Sequence, residues 1–293
     1  MPSAATARLG PLQSALARKA RTGGAGANVG TVVAAGDGWR AVDVVCTAGP
    51  ADRPYEERQA SASISLVLAG AFVYRSARGA SFLSPGALLL GGAGDVFECS
   101  HDHGEGDRCL SFQFDAPLFE RLAHDAGASR PAFAADRLPP VRDLAAVTAR
   151  AVAALAGRDA FEEVALDLAG TVVRLAGRDV RPAPPRLPDP TRVARVLREL
   201  EAHAAEPQSL ATMARTAGLG RHHFLRAFKA VTGVTPHQWV LRARLRDAAV
   251  RLRSTRAPVT EIALDVGFDD LSNFIRTFRA EFGVSPRHYR RGG

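Results

Sequence analysis

Two stretches decide how this chain is read. The first is Ser209-Leu-Ala-Thr-Met-Ala-Arg-Thr-Ala-Gly-Leu-Gly220, which runs into Arg221-His-His-Phe-Leu-Arg-Ala-Phe-Lys-Ala-Val-Thr-Gly-Val-Thr-Pro236. The second is Val259-Thr-Glu-Ile-Ala-Leu-Asp-Val-Gly-Phe-Asp-Asp270, which runs into Leu271-Ser-Asn-Phe-Ile-Arg-Thr-Phe-Arg-Ala-Glu-Phe-Gly-Val-Ser-Pro286. Phe224, Arg226, Phe228, Lys229, Gly233 and Pro236 return 50 positions later as Phe274, Arg276, Phe278, Arg279, Gly283 and Pro286. Each copy reads as a helix-turn-helix. Ser209 is a natural N-cap, Leu210, Met213 and Ala214 face a core, and Gly218 lets the chain leave the helix at positive φ. A second helix from Arg221 to Val231 then turns Phe224 and Phe228 inward. Ala263 and Gly267 repeat the small-residue and glycine pair. Asp269 or Asp270 caps the helix that carries Phe274 and Phe278.

Between the copies, Pro236 to about Ser254 reads as one helix, with Trp239, Val240, Ala243, Leu245, Ala248, Ala249 and Leu252 apolar and arginines on its other faces. At ~1.5 Å per residue it spans about 27 Å. That length suits two recognition helices roughly one DNA turn apart, each reading a half-site within one monomer. Charge points the same way. Residues 187–293 hold 18 Lys+Arg against 10 Asp+Glu, whereas residues 1–186 hold 20 of each, so the whole net charge of +8 lies beside the repeat. A phosphate backbone attracts such an excess, although a solvated basic face would show it too.

The motif Ile262-Ala263, Gly267-Phe268, Phe274, Arg276, Phe278-Arg279, Phe282-Gly283-Val284-Ser285-Pro286 and Tyr289-Arg290 is similar to the signature of the AraC/XylS family of bacterial transcription regulators. The resemblance covers residues 190–291, and it implies which residues meet DNA. In the first recognition helix these are His222, Leu225 and Arg226. In the second they are Leu271, Ser272, Asn273 and Arg276. Arg226 and Arg276 suit bidentate contacts to guanine O6 and N7, while Leu225 and Leu271 offer only apolar contact, as to a thymine methyl. Arg221, Lys229, Arg279 and the arginine-rich connector are assigned to phosphate. Gly220 stands where a Ser or Thr cap is usual, so the first recognition helix is expected to be less firmly anchored than the second.

The chain before the repeat divides further. Residues 1–28, rich in Ala, Gly, Arg and Ser, read as a flexible arm in which Leu12 to Ala20 has the makings of a short helix. From Val29 the pattern is β. Two strands flank Gly36-Asp37-Gly38, Ile64, Leu66 and Leu68 alternate with smaller residues, and Leu110, Phe112 and Phe114 alternate with Ser111 and Gln113. Short strands between Gly/Pro turns indicate a small barrel or sandwich. Asp115 starts a helix. Val141, Leu144, Val147, Val152 and Leu155 form one helical stripe, and Phe161, Val164, Leu168, Val172 and Leu175 form another. Residues 29–180 thus resemble the same family's cupin-like sensing and dimerisation half. Residues 181–189 are a proline-rich linker, and residues 190–293 are the double helix-turn-helix domain. The fold class expected is α+β: a cupin-like β-barrel with appended helices, then an all-α domain.

No Ser-His-Asp spacing, P-loop or dinucleotide fingerprint stands out, so no enzyme and no cofactor is expected. The stretch Cys99-Ser-His101-Asp-His103 is the exception, because strand alternation would put Cys99, His101 and His103 on one side as metal ligands. The competing reading is a polar hairpin whose histidines bond locally. Three cysteines do not make a disulfide framework. No apolar run reaches the roughly 18 residues of a membrane span, and a soluble cytoplasmic protein is expected. The leading reading is a DNA-binding transcription regulator, with double-stranded DNA, a small-molecule effector, a second copy of the chain and, for an activator, RNA polymerase as partners. The alternatives are a metal-dependent cupin-type enzyme, a metal or thiol sensor fused to a DNA-binding domain, or a constitutive DNA binder whose barrel only dimerises.

Overall fold

A computed structural model describes residues 4–102, 104–128, 130–157, 159–176 and 190–291. The proline-rich linker at 181–189 and His103 lie outside these residues. The chain opens with α1 (Ala4–Thr22), followed by β1 (Asn28–Gly36), β2 (Trp39–Cys46), β3 (Glu56–Arg58), β4 (Ala62–Gly70), β5 (Phe72–Ser76), β6 (Gly79–Leu83), β7 (Leu88–Gly91), β8 (Val96–Ser100) and β9 (Asp107–Phe114). After α2 (Ala116–Asp125) come the short strand β10 (Arg137–Leu138), α3 (Ala145–Leu155) and α4 (Phe161–Ala176).

The strands form two antiparallel sheets, ordered β1-β2-β9-β4-β7-β10 and β3-β8-β5-β6. Alternation explains how they stack. Ile64, Leu66, Leu110, Phe112 and Phe114 all turn to one face of the larger sheet, where they pack with Leu118 of α2, Val147 of α3 and Val164, Leu168 and Val172 of α4. The opposite residues, Val67, Leu89 and Cys109, meet Phe72, Tyr74 and Leu83 of the smaller sheet. Ser111, which alternates with Leu110 and Phe112, is therefore buried between the sheets, where Ser65 Oγ donates to it at 2.9 Å. The two amphipathic helical stripes pack on the larger sheet.

Of the residues read as a flexible arm, Ala4–Thr22 form a helix instead. In α1, Leu12 is buried and Lys19 Nζ donates to Asp52 Oδ2 at 2.7 Å and to the Thr47 carbonyl at 2.8 Å. Alanine dominates this helix, and a single buried leucine, Leu12, among its described side chains leaves little periodicity to read.

The second half contains α5 (Pro190–Ala202), α6 (Leu210–Thr216), α7 (Arg221–Thr232), α8 (Pro236–Ser254), α9 (Val259–Asp265), α10 (Leu271–Phe282) and α11 (Pro286–Arg290). The repeat appears as two matching units, α6–α7 and α9–α10. Phe224, Phe228, Phe274 and Phe278 are fully buried; truncating any one to alanine would cost about 3–5 kcal/mol. Gly267 shows why glycine is required at its turn: φ is +93°, and a Cβ there would lie 2.2 Å from the Ala205 carbonyl oxygen. The connector α8 begins with a capping box, in which Thr235 Oγ1 accepts from Gln238 N and Gln238 Oε1 accepts from Thr235 N.

The two halves share cores. Val73 and Phe82 of the smaller sheet pack with Val196, Phe224 and Phe228. Ala145 and Ala149 of α3 pack with Leu245, Ala248 and Leu252 of α8. Arg137 Nη1 donates to the carbonyls of Phe82 (2.8 Å) and Val231 (2.5 Å), so a β10 side chain holds the end of α7. Burial pushes this guanidinium down to about 10.

Candidate nucleic-acid interface and sensing cavity

Helical periodicity builds the candidate readers. With Phe224 and Phe228 fixed in the core, Arg221, His222, Leu225, Arg226 and Lys229 emerge on the opposite side of α7, and all five are exposed. In α10, Phe274 and Phe278 do the same for Ser272, Asn273, Arg276 and Arg279. Leu271 differs from its expected role: it is half-buried and packs against the core of the second unit, leaving it little surface to offer a base. Two exposed neighbours escaped notice in the sequence, His223 on α7 and Ile275 on α10, the latter 38% exposed. The same helical phase that exposes Leu225 would have found them.

The readers differ at their starts. Asp270 caps α10, its carboxylate accepting from Ser272 N (3.1 Å) and Asn273 N (2.8 Å). Gly220 precedes α7 in extended geometry with no side-chain cap. Within α10, Arg276 Nη2 donates to Asn273 Oδ1 at 3.0 Å, which orients the guanidinium along the exposed face. Among the described residues, Arg221, Arg226, Lys229, Arg276 and Arg279 make no ion pair and are available to an anion.

The connector does not fit its expected role. Arg242 pairs with Glu281 at 3.0 Å, and Arg251 pairs with Asp247 and Asp265 at 3.2 and 3.0 Å. Arg253 reaches Asp159 at 3.4 Å. Arg244 donates to the carbonyls of Ala204, Glu206 and Gly267. Arg246 is buried against the turn at Pro85-Gly86, where a Cβ on Gly86 would lie 2.6 Å from its Nη1. These arginines bind the molecule together rather than facing phosphate, because α8 lies between both helix-turn-helix units, α3 and the β unit.

Between the sheets lies a cavity of about 180 Å³. Its wall includes Cys46, Cys99, His101, Asp107 and Cys109, so all three cysteines of the chain converge on it. The strand β8 ends at Ser100, so the alternation expected through His103 stops there. His101 instead stacks on Phe72, with centroids 5.8 Å apart, and its Nε2 lies 2.6 Å from Asp107 Oδ2. Cys109 Sγ donates to Asp107 Oδ1 at 3.3 Å. Burial disfavours the charged imidazole, but the bonds to Asp107 and Cys46 outweigh it and hold its pKa up at about 10. Burial first, and then the Asp107 carboxylate, pushes the thiols of Cys99 and Cys109 well above the ordinary range. Neither is therefore a ready thiolate for redox sensing. Cys46 and Asp107 were not foreseen as neighbours of His101. Direct pairing across β2 and β9 brings those two together.

A family described as "Helix-turn-helix domain" matches residues 213–292. The chain is 40% identical over 92 residues to the right origin-binding protein of Escherichia coli; the match spans 31% of this chain and 32% of that protein, about a third of its length. It is 34% identical over 91 residues to the regulatory protein SoxS of Salmonella typhimurium, covering 31% of this chain and 85% of SoxS. Among solved structures, the DNA-binding domain of AdpA, a global transcriptional factor crystallised with a target DNA, is 30-odd per cent identical, at 31%, with a TM-score of 0.33; it covers 34% of this chain and 90% of that domain. No described helix is long and apolar enough to cross a membrane.

Proposed function

The chain belongs to the AraC/XylS family of transcription regulators, and we propose that it is a cytoplasmic, sequence-specific DNA-binding regulator whose β unit binds a small effector. One observation carries this reading. Two helices on equivalent phenylalanine cores expose matching cationic faces, Arg221, His222, Arg226 and Lys229 on one and Asn273, Arg276 and Arg279 on the other. Arg226 and Arg276 read bases, helped by His222, Ser272 and Asn273, while Arg221, Lys229 and Arg279 hold phosphates. The reading calls for no catalytic step.

The cavity between the sheets is the proposed effector site. For the second copy of the chain, the fit is with β1. It is an edge strand of the larger sheet, and Val29 and Val32 are 58% and 55% exposed on it. Exposed apolar edges pair readily with another strand.

Selection of duplexes from a random library by the full-length chain tests the function. Enrichment of a bipartite sequence, with half-sites about 10 bp apart and affinity falling steeply with salt, is the expected result. A chain that stays folded yet enriches nothing refutes it.

A further inference from the structure

We infer that Cys46, His101 and Asp107 form a binding site for a thiophilic divalent metal ion of the zinc class. The Cys46 sulfur, a His101 ring nitrogen and an Asp107 carboxylate oxygen all lie within 4.8 Å of one another. A tetrahedral zinc ion takes sulfur at ~2.3 Å and nitrogen or oxygen at ~2.0–2.2 Å, which places its ligand atoms roughly 3–4 Å apart. Small side-chain rotations bring these three into that range.

Each of the three groups is held by neighbouring elements. Cys46 and Asp107 sit directly opposite each other on paired strands. His101 and Asp107 are each only 5% exposed. The imidazole is held by its stack on Phe72, and the carboxylate by the thiol of Cys109. Such outer partners fix the orientation of metal ligands. The donor set of sulfur, nitrogen and oxygen suits zinc and its neighbours and does not suit magnesium or calcium. Three protein ligands would leave a fourth position open, and all three line the cavity whose wall also carries Cys99 and Cys109. Binding replaces the proton shared by His101 and Asp107 and releases the Cys46 thiol proton.

Service of this ion as the effector rests on the regulator reading above; its binding does not. The test uses full-length protein, reduced and stripped with a chelator, then titrated with Zn²⁺ against a chromophoric competitor and separately with Co²⁺. The expected result is one ion per chain, with a tetrahedral Co²⁺ spectrum and a sulfur-to-cobalt charge-transfer band. Cys46→Ser should abolish that band. Cys46→Ser and His101→Gln should each weaken Zn²⁺ by more than the ~10–100-fold that loss of an outer partner costs. The wild-type cobalt spectrum reports on the site even where a variant folds poorly. Failure of the wild type to retain stoichiometric metal overturns the proposal, as does unchanged affinity in both folded variants. In either case duplex selection still reads DNA binding separately.

Discussion

The two reader helices should differ in local stability, and the difference can be worked from their first turns. The Asp270 carboxylate satisfies two amides of α10 that would otherwise lack an intrahelical partner, whereas Gly220 offers α7 no side chain at all. A side-chain cap is worth about 0.5–2 kcal/mol. A negative charge at a helix N-terminus adds about 0.3–1 kcal/mol. Asp270→Ala should therefore cost α10 about 1–2 kcal/mol, a roughly 5–30-fold rise in local opening. At Gly220 the backbone is already extended, and a Cβ would meet nothing within 4 Å. Gly220→Asp should then stabilise α7 by about 0.5–1 kcal/mol, since glycine is itself only a few tenths worse than a capping residue. Amide hydrogen exchange on the full chain reads both helices at once. Wild-type α7 should exchange faster than α10, and each substitution should move only its own helix. Equal protection in the wild type, or an Asp270→Ala variant with unchanged α10 exchange, would refute the reasoning that capping sets the difference.

Arg276→Ala should lose about 1–3 kcal/mol on a selected duplex while binding to random duplex persists, as fluorescence anisotropy on both duplexes would show. Asp52 is held down at about 2, first by the hydrogen bond from Lys19 and then by the Gly26 and Gly49 amides, from an ordinary 3.8. Its folded value lies below its unfolded one, so its clamp on α1 is fully present above pH 3.8 and is lost as pH falls through about 2. Asp52→Asn should flatten that part of the stability profile, an effect of order 1 kcal/mol after solvent screening, measured by denaturant melts at stepped pH. Arg137→Ala removes two charge-assisted bonds, one to Phe82 within the β unit and one from the β unit to Val231 of the reader, and denaturant unfolding should show a loss of about 2–4 kcal/mol, with the cost of burying the guanidinium already discounted.

The second half was legible because its determinants are local. Caps, glycines and phenylalanines act within one or two helical turns, so their spacing alone places α6 to α10 and turns Arg226 and Arg276 outward. Leu271 shows the limit, since its half-burial depends on packing from elsewhere in its unit. The connector arginines show it more strongly. Arg244 is fixed by the carbonyls of three residues on neighbouring segments, and nothing in a helical pattern reveals what faces it. The cavity was hidden for the same reason. His101 was visible as a candidate ligand, but Cys46 and Asp107 become neighbours only through the register of β2 with β9. Alternation within one strand cannot supply the register between two, and β8 itself ends at Ser100, before His101.

An effector changes DNA affinity only as far as it binds two arrangements of the molecule unequally. The contacts between the halves say where such a bias would first be felt. The smaller sheet runs from the cavity to the first helix-turn-helix unit: β8 carries Cys99 and leads into His101, β8 pairs with β5, and β5 pairs with β6. The Phe82 carbonyl on β6 shares Arg137 with the Val231 carbonyl at the end of α7. The second unit meets the β half through α3 and α8 instead, on the opposite face of the larger sheet from the cavity. A continuous set of contacts is not itself a coupling energy, but it makes an unequal response the expected one. Footprinting of a selected duplex, with Zn²⁺ and then with chelator, should change protection more over the half-site read by α7 than over the one read by α10. Equal changes at both would place the coupling in a rigid movement of the whole second half, and would remove Arg137 from the route.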